Sequence, residues 1–190
     1  MKPKMIIWDF DDTLFHWTKH FIKWLFENKL SEIDTHDTAT WFTRDFVYEF
    51  NNSKHFIRRD PICDNLDLFG FTLRSHNYCD VKILSACGKG LNEKIAKILL
   101  MKCYLWDYRG DDFQSIIECE NNSQDKYKHL LEHAKTHELL VIDDKQETVR
   151  FCRENGILAV CNKDFNNLRK IISLFLTQDA DFIDKHPDLI

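Results

Sequence analysis

The stretch I-I-W-D-F-D-D-T-L-F, residues 6–15, places three aspartates directly behind an apolar run, at the point where a buried strand hands over to a loop. Carboxylates left bare in such a place cost several kcal/mol or more, so each must be solvated, paired or bound to a cation. The run in front of them, K-M-I-I-W-D-F at 4–10, therefore reads as a core strand whose carboxyl end carries acids for a reason.

Working outward, further short apolar, β-branched runs read as strands at 81–86 (VKILSA), 115–119 (SIIEC), 139–144 (LLVIDD) and 157–162 (ILAVCN), with 102–108 (KCYLWDY) as an additional one. Between them, 92–102, 123–137, 145–155 and 165–176 repeat apolar residues at three- and four-residue steps, the helical period. This alternation predicts an α/β fold: a Rossmann-like parallel sheet with helices on both faces. Such a sheet binds ligands beyond the carboxyl ends of its strands, near the switch in strand order. At 190 residues the chain is expected to form a single domain, 1–190. Residues 16–60 break the alternation with two aromatic-rich helices and a basic loop after the first strand, a length suited to a lid or binding insertion. Their aromatics are equally suited to a small satellite core. The polar end, 178–190, reads as a tail or as the cut edge of a longer chain.

Composition narrows the function classes. Hydrophobic residues at 44% argue against disorder, yet no apolar run approaches the roughly 18 residues of a membrane span, and no signal peptide is read at the start. A net charge of -5 with scattered Lys and Arg argues against a nucleic-acid polymer as partner. Seven cysteines, irregularly spaced and without a C-x-x-C pair, suit a reducing compartment, and a cytoplasmic protein is the expectation. No feature sets an oligomeric state.

The chemistry lies at the strand ends. Asp9, Phe10, Asp11, Asp12 and Thr13 follow the first strand; Ser85, Ala86, Cys87 and Gly88 end the second; Asp143 and Asp144 end a later one; and Lys126 opens the helix before it. Folding gathers these acids, a hydroxyl and an ammonium on one rim. That set serves phosphoryl transfer through an aspartyl intermediate. One carboxylate attacks phosphorus, and a second protonates the leaving oxygen and later deprotonates water. Mg²⁺ binds between the acids and the phosphate, while hydroxyl and ammonium hold phosphoryl oxygens. Taken singly, each string is also a turn or a helix cap: D-x-D-x-T favours an N-cap, and Asp144 can cap a helix starting at Lys145. That reading does not account for all four strings in order. Asp12 reads as a solvated turn residue.

Four motifs in this order resemble the haloacid dehalogenase superfamily of aspartyl phosphatases: D-x-D-x-T at Asp9, Asp11 and Thr13; Ser85 ending V-K-I-L-S; Lys126 in S-Q-D-K-Y-K, with Lys128 as runner-up; and the acidic pair of L-L-V-I-D-D. The resemblance covers nearly the whole chain. It implies a helical cap-like insertion at 16–60, Asp9 as nucleophile, Asp11 as general acid/base, and Mg²⁺ held by Asp9, the Asp11 carbonyl and Asp144, with Asp143 behind them. It further implies Thr13 supporting the loop, Ser85 and Lys126 on the phosphate, and backbone N–H groups of Phe10 and Ala86 as added donors. Two branches compete. D-F-D-D-T-L-F, D-K-Y-K-H-L-L and I-D-D-K look like the small magnesium-dependent phosphatases, which include activity on phosphotyrosine, and an aromatic-lined entrance would suit an aryl phosphate. V-Y-E-F and L-L-V-I-D-D-K-Q-E-T-V look like 5'(3')-deoxyribonucleotidases, whose opening usually carries Gly-Val where this chain has Asp12 and Thr13. A binding protein that keeps the fold without turnover is the reading from another class. The implied partner is a phosphoprotein or small phosphomonoester.

Lesser signals remain. Cys103 to Arg109 has the C-x5-R spacing of cysteine-dependent phosphatases, but its bulky interior residues are unfit to wrap a phosphate. Cys87 beside Ser85 reads as a packing residue. His129, His133 and His137 fall at four-residue steps, as do His16 and His20, a spacing that can bind a transition metal; with no third ligand type in view, the expectation is a solvated helix face.

Overall fold

A computed structural model describes residues 2–75, 78–86, 91–105, 117–120, 123–162 and 165–177. Five strands form one sheet: β1 (Lys4–Trp8), β2 (Asp80–Ala86), β3 (Ile117–Glu120), β4 (Glu138–Asp143) and β5 (Leu158–Cys161). Every pairing is parallel and the order is β3-β2-β1-β4-β5. The chain winds from the central β1 through β2 to the β3 edge and then crosses to β4. The rim beside β1 and β4 is thus the switch point where α/β sheets bind ligands.

Helices α3 (Cys63–Arg74), α4 (Leu91–Tyr104) and α7 (Phe165–Leu176) cover one face; α5 (Ser123–Thr136) and α6 (Gln146–Glu154) cover the other. Alternation along β1 sorts the side chains. Ile6 and Trp8 pack with Ile83, Leu140, Phe69 and Ile172 on the first face, while Met5 and Ile7 pack with Leu84, Val141, Leu130 and Val149 on the second. Burying both faces is why β1 and β4 read as unbroken apolar runs. Each fully buried large side chain contributes roughly 2 kcal/mol.

Residues 16–60 hold α1 (Thr18–Asn28), α2 (Arg44–Asn51) and single 3-10 turns at Thr38–Thr40 and Phe56–Arg58. Phe21, Trp24, Trp41, Phe50 and Phe56 are buried against one another and against Ala96 of α4, so the segment closes a satellite core. These rings are turned inward and do not line an entrance.

Two expectations need correction. The strand read at 102–108 is, over Lys102–Tyr104, the last turn of α4, because the helical period runs on through the buried Met101; positions 106–108 lie outside the described residues, as do 115 and 116 of the strand read at 115–119, Cys87, Arg109 and the 178–190 end. Asp12 is no idle turn residue. Its carboxylate accepts hydrogen bonds from the backbone N–H of Trp17 at 2.8 Å and Thr18 at 3.0 Å, capping α1 from a distance. Among the described residues no helix is long and apolar enough to cross a membrane, and Cys63, Cys79, Cys103, Cys152 and Cys161 are free thiols.

Candidate active site

Strand β1 ends at Trp8 and delivers Asp9 to the rim, where its N–H donates to the carbonyl of Ile142 at 2.8 Å. The chain then coils tightly: Leu14 N and Phe15 N both return to the carbonyl of Phe10, at 2.9 and 3.1 Å. Asp12 supplies the turn with a left-handed backbone, φ 58°, which Asp tolerates better than most residues. Distant side chains staple the loop. Asn65 of α3 donates to the carbonyl of Thr13 at 2.8 Å, and Asn162 donates to that of Asp12 at 2.9 Å.

On the β4 side stand three carboxylates and one ammonium. Lys126, buried on α5, donates to Asp9 at 2.6 Å and to Asp143 at 2.7 Å. The second oxygen of Asp143 accepts from the N–H of Lys145 at 2.8 Å. Asp9, Asp143 and Asp144 each offer an oxygen within 4.8 Å of the others'. Burial pushes the Asp9 carboxyl up; Lys126 pulls it down, Asp143 and Asp11 push it up again, and it stands at about 6. Asp144 rises to about 7, through burial first and then Asp9 and Asp143. Burial would lower the Lys126 ammonium, but Asp9 and Asp143 outweigh it and raise it above the ordinary lysine range, so it keeps its charge. Oδ1 of Asp144 is buried and meets no donor among the described residues. An acid-rich pocket with an orphaned buried oxygen fits a hard divalent cation with oxygen ligands, such as Mg²⁺.

The opposite side of the loop is cationic. Asp11 is gripped by Arg59 through Nη1 and by Lys97 at 2.6 Å. Burial alone would raise its carboxyl, but Lys97 and Arg59 outweigh that and hold it at about 2. Both cations are fully buried. The ring of Phe10 lies beneath them, 5.0 Å from Lys97 Nζ and 5.5 Å from the Arg59 guanidinium, and Phe56 covers Arg59 at 4.0 Å. Arg59 Nη2 is buried without an acceptor among the described residues. It is a donor lacking an anion, as Asp144 Oδ1 is an acceptor lacking a cation.

The residues read from sequence therefore meet on one rim, with their roles adjusted. Asp9, Asp143 and Asp144 converge, and Lys126 rather than Lys128 is the buried lysine; Lys128 is exposed and paired with Asp125. Ser85, the penultimate residue of β2, lies beside Asp11, 3.5 Å from its Oδ2, with Lys97 bound to its Oγ. Ala86 follows as the last residue of β2. Phe10 was expected to offer its backbone N–H and Thr13 to support the loop. The Phe10 side chain is spent in the core, leaving only its backbone N–H to serve, and Thr13 is fully buried with its hydroxyl directed to Asp9 at 3.4 Å. Asp143 is tied to Lys126 on one oxygen, which places it behind Asp9 and Asp144. Cys103 is exposed near the end of α4, and residues 106–109 of its C-x5-R string lie outside the described residues.

Sequence reasoning missed Arg59 and Lys97. Arg59 lies in the basic loop I-R-R-D, and Lys97 lies in an amphipathic helix where a lysine usually faces water. The available signal was register, since Lys97 is one turn from the buried Met101. No family model matches the chain, and no curated protein matches it.

Proposed function

We propose that this chain is a Mg²⁺-dependent phosphomonoester hydrolase of the haloacid dehalogenase type, working through an aspartyl-phosphate intermediate, with 16–60 in the position of that superfamily's cap. The observation that carries this reading is the pair of orphans flanking one loop: an oxygen of Asp144 without a cation and a guanidinium nitrogen of Arg59 without an anion. A metal ion with a phosphoryl group satisfies both together.

Asp9, Asp144 and, behind them, Asp143 would hold Mg²⁺, which neutralises the acids and polarises the phosphoryl oxygens when bound. A carboxylate oxygen of Asp9 attacks phosphorus and the ester P–O bond breaks, the leaving oxygen taking a proton from Asp11. Water then attacks the phosphorus of the acyl phosphate and gives its proton to Asp11. Asp9 is released as a carboxylate and inorganic phosphate departs. Lys126 keeps Asp9 ionised and oriented; Thr13 steadies it.

Asp11 sets the condition on the first step. Lys97 and Arg59 keep it ionised in the resting protein, so it cannot donate until they turn to another anion. The phosphoryl oxygens offer one, near Ser85. Even then an acid so placed is best matched to a leaving group that needs little protonation. A phenol, with a pKa near 10, qualifies better than an alkanol. This supports an aryl phosphate or phosphotyrosine as the substrate class; the rings of Phe21, Trp24, Trp41, Phe50 and Phe56, packed on one another, do not contribute to that argument.

The test is hydrolysis of a chromogenic aryl phosphate with and without Mg²⁺. Turnover that requires Mg²⁺, disappears in Asp9→Asn and is untouched in Cys103→Ser is expected. Activity persisting in Asp9→Asn would overturn the aspartyl mechanism.

A further inference from the structure

Along the flank of α5, beside its buried face, the fold completes a cluster that the helix alone leaves unfinished. His129 and His133 stand one helical turn apart, and Glu118 reaches them from β3. The register explains why. Glu118 pairs with Leu84, so it shares the sheet face on which Leu84 packs against Leu130 of α5. The helix is anchored there by Leu130, Ala134 and Tyr127, which fixes the two imidazoles over the β3 edge.

We propose that Glu118, His129 and His133 form a site for a borderline divalent transition metal, Zn²⁺ being the representative ion, separate from the acidic rim. Two imidazoles and one carboxylate are a donor set that Zn²⁺ favours and Mg²⁺ does not, with a fourth position left to water. Glu118 Oε2 is 3.0 Å from His133 Nε2 and 3.9 Å from His129 Nδ1, and all three ligand atoms lie within 4.8 Å of one another. Ligands around tetrahedral zinc sit roughly 3.3 Å apart, from bond lengths of about 2.0–2.1 Å. The 3.0 and 3.9 Å separations from the carboxylate bracket that spacing.

The surroundings orient the set. Lys82 Nζ holds the other carboxylate oxygen, Oε1, at 2.8 Å, leaving Oε2 toward the histidines. His133 and Lys82 together keep Glu118 ionised well below the usual carboxylate range. Glu132, between the two histidines, is paired with Lys135 and exposed, so it is no ligand. His137, one turn further, is engaged by Asp80 at 3.2 Å and marks the end of the cluster. Bound metal would clip the edge strand β3 to α5, the helix that carries Lys126.

The experiment is Zn²⁺ titration of the chelator-stripped full chain in saturating Mg²⁺, followed by calorimetry and by the melting temperature. One Zn²⁺ per chain and a raised melting temperature are expected. His129→Ala, His133→Ala and Glu118→Gln should each weaken binding about tenfold or more, and the His129→Ala/His133→Ala pair should abolish it. Asp144→Asn should leave it intact. Zn²⁺ that binds equally well to the double variant, or is lost in Asp144→Asn, would overturn the assignment, as would no uptake at all. Because these ligands lie outside the acidic rim, loss of this site leaves Mg²⁺-dependent turnover in place, and failure of the phosphatase reading leaves Zn²⁺ binding in place.

Discussion

Asp9 and Asp11 are two residues apart on one loop, yet their surroundings drive them in opposite directions. Asp9 faces two more carboxylates and shares one lysine with Asp143, and its carboxyl is raised to about 6. Asp11 faces two buried cations and is lowered to about 2. Burial is the largest influence on both and has the same sign, so the divergence comes from the neighbours. One half of the loop gathers carboxylates and the other gathers cations. Two chemically identical side chains thereby acquire different tasks.

The largest effect is expected at Asp9, the proposed nucleophile. Asp9→Asn should lower turnover of an aryl phosphate by roughly 10⁴-fold or more, measured with Mg²⁺ saturating. Asp11→Asn should cost about 10²–10⁴-fold, and more for an alkyl than for an aryl phosphate, because only the alkyl alcohol depends on the missing proton. Equal losses on both substrates would count against Asp11 as the acid.

Lys126→Met leaves three acids without their ammonium. The metal-free protein should lose roughly 3–5 kcal/mol in urea unfolding, as when one partner of a buried pair is removed, and Mg²⁺ should restore part of it. The two halves separate most cleanly in ligand affinity. Asp144→Asn should weaken Mg²⁺ about tenfold or more by calorimetry while inhibition by orthovanadate, a phosphate mimic, changes little at saturating Mg²⁺. Arg59→Met should do the reverse. If both variants shift both affinities alike, the division of the loop is wrong.

The smallest effect is in pH dependence. Carboxyls raised from 3.8 to about 6 and about 7 hold protons in the fold that the unfolded chain has already released. The stability they contribute is full below about pH 4 and is lost as pH rises through 6 and 7. Mg²⁺ requires both groups ionised, so its stabilising effect grows over the same window. The Mg²⁺-induced rise in melting temperature should be a few degrees larger at pH 8 than at pH 5.

How much of this was legible in the residues follows the same division. The acid-rich half was readable because its members end strands: Asp9, Asp143 and Asp144 each terminate an apolar run, and strand ends can be located from hydrophobic periodicity alone. Lys126 was readable by its place ahead of the last acidic strand. The cationic half was not, because Arg59 and Lys97 sit in a loop and on a helix where such residues ordinarily face solvent, and only tertiary packing turns them inward. Glu118 was hidden for a related reason. A strand glutamate announces nothing until pairing with Leu84 fixes which face it takes. The sheet was expected from the alternation of elements, whereas the end of α4 was misread because Tyr104, a β-forming residue, is also accommodated in the last turn of a helix.

The asparagine staples on the loop at residues 9–13 set a timetable. Asn65, the carbonyl of Ile142 and Asn162 each hold a different part of residues 9–13, and Asn162 is encoded far downstream of what it ties. On the ribosome, where the amino-terminal part emerges first, Asp9 leaves the exit tunnel long before its last restraint is made. The newborn chain therefore carries its acids unarranged until β5 joins the sheet, and the loop at residues 9–13 is completed only after Asn162 has been synthesised.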